Sequence, residues 1–240
     1  MAWTARAMPP GRSAPGVRER VIVEAPAKVN LRLRVLAREE GGFHGLETVF
    51  CAVSLADTVE VRRRGPGVSL DVEGGGDLGP PERNLAVRAA RAYHAARGTP
   101  PSVELRLRKR IPAAAGLGGG SSDAAAVLRG LDALSDDPLG DDALLRIGGT
   151  LGSDVPFFLG GSALALGWGR GERLLALPAL ATREVIVAHP GVEMPTGPAF
   201  ARIAARRGDG HLVPARRLTL DDLASWDAVA RVSCNDFEPG

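Results

Sequence analysis

The sequence predicts an α+β protein on three observations. Strand-like runs gather early in the chain, helical periodicity follows, and the two do not alternate strictly, which disfavours a doubly wound sheet. A glycine-rich loop, Pro112-Ala-Ala-Ala-Gly-Leu-Gly-Gly-Gly-Ser-Ser122, joins an alternating segment to an alanine-rich helix former. The 240 residues suffice for one large or two small domains, and a 45% apolar content with 4% aromatics predicts a core of Ala, Leu and Val. Lys and Arg total 30 against 28 acidic residues, so charge gives no argument for a nucleic-acid partner, and Arg62-Arg63-Arg64 reads as a solvated strand edge. Two cysteines, Cys51 and Cys234, imply no disulfide framework and point to the cytoplasm. No apolar run reaches the ~18 residues of a membrane span.

Taken in order, residues 1–20 carry arginines and prolines without a signal-peptide stretch and read as a disordered extension. Arg20 to Glu24 and Val29 to Leu36 read as strands, the second alternating apolar residues with Arg. Leu46 to Leu55 and Thr58 to Arg63 are β-rich, with a turn expected at Ala56-Asp57. Val68 to Val72 is a short strand, and residues 74–81 a loop. Asn84 starts a helix that presents Leu85, Ala89, Ala92, Tyr93 and Ala96, and Gly98 ends it. Val103 to Arg108 is a strand, followed by the glycine loop and a helix to about Ser135. A short helix is expected from Leu139 to about Gly148. Ser162 to Ala165 and Glu172 to Leu177 read as strands, Val185 to Ala188 as a buried strand, and Pro198 to Arg207 and Leu220 to Ala230 as helices.

The loop is the strongest functional signal. Gly116, Gly118, Gly119 and Gly120 allow close approach of a ligand and backbone angles closed to other residues. Ser121, Ser122 and Asp123 suit a helix N-terminus, where free N–H groups and the helix dipole favour phosphate. A Walker loop is excluded, because no Lys follows Gly120. The dinucleotide pattern fails too: its third glycine position is Ser121, and no acidic residue closes a following strand roughly 20 residues on. A flexible linker would be polar on both sides, which this segment is not.

Phosphoryl transfer also needs charge stabilisation and a proton acceptor. Asp154, bracketed by Gly152 and Pro156 and followed by Phe157 and Phe158, sits in a tight, dry neighbourhood that suits a general base. Capping of the following helix explains it equally well from local sequence. Lys28 is the only Lys of the first 100 residues in an Arg-rich chain, and a compact ammonium can approach a hydroxyl and a carboxylate together. A solvated turn lysine is the plain alternative. Asn30 shares the strand face of Lys28 and suits substrate orientation. Phe43 and His44, in a glycine-bracketed loop, suit stacking on a nucleobase and bonding its edge, or form an ordinary surface turn. Lys109 precedes the loop, either to hold nucleotide or as part of the solvated run Arg108-Lys109-Arg110. No His/Cys cluster suggests zinc, and no metal ligand is assigned.

Here the sequence resembles the GHMP kinase superfamily of galacto-, homoserine, mevalonate and phosphomevalonate kinases, whose ATP loop reads P-x-x-x-G-L-G-[GS]-S-[SA]. Three further segments, Ala25-Pro-Ala-Lys-Val-Asn-Leu31, Gly42-Phe-His-Gly-Leu-Glu-Thr48 and Leu151-Gly-Ser-Asp-Val-Pro-Phe-Phe158, narrow it to the branch acting on a cytidine diphosphate-linked methylerythritol. The resemblance covers about residues 21 to 200. It implies an ATP-dependent kinase with Mg²⁺, acting on a small molecule in isoprenoid biosynthesis. It implies catalytic roles for Lys28 and Asp154 and a triphosphate cradle at Pro112, Ala113, Ala114, Ala115, Gly116, Leu117, Gly118, Gly119, Gly120, Ser121 and Ser122. It also implies a nucleotide contact at Asn84, whose N-cap role is by itself a sufficient explanation, and substrate contacts at Asn30, Phe43, His44 and Thr196. Tyr is frequent in the family where this chain has Phe43.

The implied fold is a ribosomal protein S5 domain 2-like N-terminal domain over residues 21–180 and a ferredoxin-like C-terminal domain over 181–240. The family's later segment G-[ST]-G-[AS]-x-x-F is lacking here, so the second domain is expected to be incomplete. That leaves two alternatives: another superfamily kinase of homoserine or mevalonate type, or a nucleotide-binding remnant without turnover.

Overall fold

The computed structural model describes residues 18–38, 44–76, 78–188, 199, 202–203 and 218–238, with Ala37, Arg38 and His44 described by backbone alone. The expected extension lies mostly outside these residues, but Arg20 already belongs to the first strand and the Glu19 carbonyl accepts from the Arg63 N–H at 2.8 Å. Phe43 and Thr196 lie outside the described residues, as do most of 198–207.

Two long antiparallel strands, β1 (Arg20–Arg38) and β2 (His44–Arg63), organise the sheet. Each was expected as two shorter strands. The breaks are register shifts within continuous strands, at Pro26/Lys28 and at Asn30/Arg32. The turn expected at Ala56-Asp57 does not form: Ala56 pairs with Pro26 and Asp57 with Ala25. Asp57 is fully buried yet compatible with a strand, because its carboxylate has buried partners described below.

On the edge of β2 away from β1, two wings form. The end of β2 pairs with β4 (Ser102–Arg108), which runs parallel to β3 (Gly67–Glu73). The start of β2 pairs with β5 (Leu164–Gly169), which pairs with β6 (Arg173–Ala176). The parallel β3–β4 pair requires a crossover, and α1 (Leu85–Ala96) supplies it.

Helices α1, α2 (Gly119–Leu134), α3 (Asp141–Leu151) and α4 (Val155–Leu159) share one core with the sheet. Alanine sets the spacing: Ala124, Ala125 and Ala126 of α2 are fully buried, with Val59, Val61 and Leu105 of the sheet in the same core. Gly130 takes this furthest, since a Cβ there would stand 2.6 Å from Val61 Cγ2 and 3.2 Å from Val21 Cγ1. Arg63 leaves the solvated edge expected of it and donates to the Leu134 carbonyl at the end of α2 and to Asp136, where a cation complements the helix dipole. Arg62 instead pairs with Glu60 at 2.5 Å, and Arg64 with Glu104 at 2.6 Å.

A second, smaller core joins Val49 and Leu164 to Leu177, Leu223, Val229 and Val232. Its last members come from a single turn at Asp221–Leu223 and a helix α5 (Trp226–Val232), where one continuous helix was expected. Ser225 breaks the run by capping α5 on the Ala228 N–H at 3.2 Å. The Cys234 carbonyl then accepts from the Leu33 N–H of β1 and the Asp236 N–H donates to the Leu33 carbonyl, and Arg32 donates to the Val232 carbonyl at 2.6 Å. The strand expected at Val185–Ala188 is not formed, and Val185, Ile186 and Val187 are exposed at 58%, 96% and 40%. An apolar β-branched run becomes a strand only where an edge pairs with it, and among the described residues none does.

Gly130→Val forces a Cβ and two methyl groups against Val61 and Val21. The expected loss of stability is about 2–3 kcal/mol, typical of overpacking, and is checked by urea denaturation. A midpoint equal to wild type would mean that α2 moves off the sheet freely.

Candidate active site

The glycine loop bridges β4 and α2. Gly118, at φ +72°, stands at the N-cap of α2 and offers no side-chain cap. The helix therefore starts at Gly119, ahead of the Ser121-Ser122-Asp123 start that the sequence suggested. The Ser122 N–H is the first to turn inward, donating to the Gly118 carbonyl at 2.9 Å. The N–H groups of Gly119, Gly120 and Ser121 precede that bond, at the positive end of a 16-residue helix. This is the geometry that binds phosphate.

Glycine is required at 118 for two reasons. Its φ lies in the left-handed region, and a Cβ would stand 3.0 Å from Phe158 Cζ and 3.1 Å from Lys28 Cγ. The loop residues divide by burial. Pro112, Ala113, Ala114, Gly116 and Gly120 are exposed, and Ala115, Gly118, Gly119 and Ser121 half-buried. Leu117 and Ser122, expected in the cradle, are turned inward at 7% and 0% exposure. Leu117 packs with Ala27 and Ile111 in a small cluster beneath the loop, so its side chain anchors the loop instead of meeting a ligand.

The chain has only two lysines, and both are buried beside this loop. Lys28 is 6% exposed. Its backbone N–H donates to the Leu117 carbonyl at 2.9 Å, and its Nζ donates to the Gly116 carbonyl at 2.8 Å and to Asn30 Oδ1 at 2.7 Å. Asp154 Oδ2 lies 3.4 Å from the same Nζ, and the Phe50 ring centroid 5.6 Å. The alternative of a solvated turn lysine is thereby removed. Two of the three register shifts of β1 flank this segment, a familiar way for strands to re-aim side chains at a site.

Asp154 occupies the N-cap position of α4 but makes no side-chain cap bond, so helix capping does not account for it. Its side chain is 30% exposed. The dry surroundings expected from Phe157 and Phe158 are not around the carboxylate, because both rings are turned into the core at 2% exposure. Nearby, a Cβ on Gly152 would stand 3.7 Å from Ser121 Oγ, which places a loop hydroxyl beside the segment carrying Asp154.

Lys109 is not part of a solvated run. Its side chain is 5% exposed, and its ammonium pairs with Asp57 and, at 2.6 Å, with Asp123. Burial works against its charge, but the two carboxylates outweigh burial and raise its pKa. Asp57 Oδ1 also accepts from the N–H groups of Arg110 at 2.5 Å and Ile111 at 2.8 Å. The triad thus ties mid-β2, the end of β4 and the first turn of α2 together beneath the loop. A lysine so enclosed holds the loop's foundations; its ammonium is turned to carboxylates instead of to the surface. Asp123 is 3% exposed, its Oδ1 lacks a hydrogen-bond partner, and desolvation pushes its pKa up to about 6 despite Lys109.

Asn84 caps α1, accepting from the Ala86 N–H at 2.9 Å, and Leu85 beside it lies 3.6 Å from where a Gly120 Cβ would be. The His44 backbone pairs with Arg38. Asn30, expected to orient substrate, spends its amide on Lys28 and, through Nδ2, on Thr48 Oγ1 at 2.6 Å. Sequence reasoning missed Asp57, Asp123 and Thr48. An aspartate within the apolar alternation of β2 was the available signal for Asp57; Thr48 offered none. Among the described residues no group of three or more His, Cys, Asp or Glu is placed to hold a metal, and no helix is long and apolar enough to cross a membrane.

Comparison with known proteins identifies the family. The model of the GHMP kinases N terminal domain matches residues 84–162, from the Asn84 cap past Asp154. A crystal structure of 4-(cytidine 5'-diphospho)-2C-methyl-D-erythritol kinase superposes with a TM-score of 0.68 at 38% identity, covering 90% of this chain and 75% of that one. The chain belongs to the GHMP kinase family, and its fold is a mixed α+β one. Its similar relatives within that family are 4-diphosphocytidyl-2-C-methyl-D-erythritol kinases. One from Solibacter usitatus is 44% identical over 223 residues, covering 90% of this chain and 68% of the relative. Another from Salinispora tropica is 46% identical over 191 residues, covering 78% and 59%. Across the similar sequences the chain spans 58% to 75% of the relative's length.

The Asp123 titration gives a test of the triad. Burial pushes the pKa of its carboxyl up from 3.8 to about 6 in the fold. Between those values the folded chain keeps a proton that the unfolded chain has released, so Asp123's contribution to stability falls as pH rises through the window. Asp123→Asn removes that slope, and denaturation midpoints measured from about pH 4 to pH 7 flatten relative to wild type. An unchanged slope would assign the titration to another group.

Proposed function

We propose that the chain is an ATP-dependent kinase that phosphorylates the 2-hydroxyl of 4-diphosphocytidyl-2-C-methyl-D-erythritol, a step in non-mevalonate isoprenoid precursor biosynthesis. The observation that carries this reading is the Lys28–Asp154 pair at 3.4 Å, with Lys28 donating to the Gly116 carbonyl of the phosphate loop. The relatives' names supply the substrate, and the motif around Lys28, Asn30 and His44 supports it.

The reaction moves a phosphoryl group from ATP to an alcohol, so positioning and electrostatics are the main demands. The N–H groups at the start of α2 suit the phosphate oxygens of ATP. The carboxylate of Asp154, part-exposed, accepts the proton of the attacking hydroxyl. The ammonium of Lys28, compact and already desolvated, stabilises the negative charge that develops on that oxygen. Loop residues 112–116, all exposed except the half-buried Ala115, line the approach, and Asn84 stands at the neighbouring helix start. Phe43, His44 and Thr196 are read as the substrate side.

Mg²⁺ fits this donor set. Ser121 Oγ and the Asp154 carboxylate are oxygen donors on neighbouring segments, and Mg²⁺ commonly keeps phosphate and water ligands with few from protein. When bound, the ion neutralises charge on the phosphate oxygens. The finer architecture, an S5 domain 2-like unit over 21–180 and a ferredoxin-like unit over 181–240, belongs to the same reading, as does the cytoplasm as compartment.

ADP release by the purified chain, with ATP, Mg²⁺ and the cytidine-linked substrate, tests the proposal. Asp154→Asn is expected to lower kcat by about 10²- to 10⁴-fold, the range for loss of a general base. Lys28→Met is expected to do likewise with the fold intact. Turnover that survives both substitutions, or none in the folded wild-type chain, would sink the reading.

A further inference from the structure

We infer that Thr48 is a positioning residue for the Lys28 ammonium, acting through the side-chain amide of Asn30; the inference rests on the kinase reading for its catalytic consequence only.

The argument begins with one proton. Thr48 is 1% exposed, and its hydroxyl donates to the Arg32 carbonyl at 2.8 Å. A hydroxyl has a single proton, so what Thr48 offers Asn30 is a lone pair. Asn30 must therefore present its NH₂ to Thr48, at 2.6 Å. That choice turns the amide oxygen toward Lys28, where it accepts from Nζ at 2.7 Å. The amide has two nearly isosteric orientations, and only one is compatible with an ammonium. Flipped, it would set an NH₂ against the Lys28 cation. Thr48 thus decides the orientation of a group it passes on to a third residue.

The consequence reaches both halves of the site. The ammonium has three protons and three acceptors around it: Asn30 Oδ1, the Gly116 carbonyl and Asp154 Oδ2 at 3.4 Å. Losing the Asn30 direction frees the cation to move toward either remaining acceptor, which shifts it relative to the loop or to the base. A displacement of about 1 Å at a reacting centre costs about 10²-fold in rate.

The strand geometry makes the relay possible. Asn30 pairs with Phe50 but Arg32 with Val49, so one residue of β1 is extra at this point. The bulge sets the Arg32 carbonyl against Thr48, which stands opposite Leu33, while Thr48 still reaches back to Asn30. The Thr48 methyl is placed by Gly167, where a Cβ would stand 3.1 Å from Thr48 Cγ2. Valine at 48 fits the same space and removes only the hydroxyl, whereas serine keeps the hydroxyl and removes the methyl.

Thr48→Val is expected to lower kcat by about tenfold or more with the KM for ATP changed less than about twofold. Thr48→Ser is expected to remain near wild type. In the Asn30→Ala background, Thr48→Val is expected to add no further loss, because both substitutions break one chain. The two-lysine composition supplies a readout independent of turnover: with ¹³C-labelled lysine, Thr48→Val and Asn30→Ala displace the Lys28 side-chain signal and leave the Lys109 signal in place. Additive losses, a serine variant as impaired as the valine one, or an unmoved Lys28 signal would overturn the inference. If the valine chain does not fold, Thr48→Ala against Thr48→Ser gives the same comparison. Should the wild-type chain show no turnover, the lysine signals still decide the relay, and only the kinase reading falls.

Discussion

The placement of the glycine loop governs this structure, and two buried ammonium groups govern the loop. Lys28 holds it from β1, its ammonium donating to the Gly116 carbonyl and its backbone N–H to the Leu117 carbonyl. Lys109 holds its base, through Asp57 and Asp123. A buried cation is costly unless its protons are all directed to acceptors. That cost makes the arrangement specific, because a loop displaced from these partners would leave a charge without compensation in the core. The N–H groups of α2 are in this way offered to a ligand from a fixed position.

The two lysines divide the work. Lys109 faces two carboxylates and is buried with them, and that burial raises the pKa of Asp123. Lys28 faces one part-exposed carboxylate and two neutral oxygens, so its charge is only partly answered. A cation with a remaining claim on negative charge, next to a carboxylate reachable from solvent, is the arrangement on which the proposed phosphoryl transfer rests. The difference lies in the partners that the fold supplies, since the side chain is the same.

Small residues make the packing that supports this electrostatics. Alanines of α2 and Gly130 bring the helix close to β1 and β2, and Gly118 lets the loop meet Phe158 and Lys28 without a clash. The low aromatic content fits such a core: close approach of backbones replaces filling by large rings. The large rings of that core are Phe50, Phe157 and Phe158, in contact at centroid distances of 5.0 and 5.2 Å beneath the site, and Tyr93 of α1.

Much of this was legible in the sequence. The glycine loop, Lys28 and Asp154 stand out locally because glycine, a lone lysine and a bracketed aspartate are unusual where they occur, and strand alternation and the Asn84 cap are short-range signals. The sequence alone therefore determined the α+β class, the position of the glycine loop and the choice of Lys28 and Asp154 for the proposed chemistry. Other features needed the tertiary structure. That β1 and β2 run unbroken, with Asp57 inside the strand, depends on a lysine 52 residues away. Lys109 reads as surface from its neighbours and is buried only because two carboxylates from other elements enclose it. The Val185–Val187 run has strand composition but no pairing edge among the described residues. The role of Thr48 is fixed by a hydrogen bond across the sheet to Asn30, 18 residues away. In each case the deciding partner is distant along the chain, and burial and hydrogen bonding depend on where the backbone brings groups together, which local pattern does not encode.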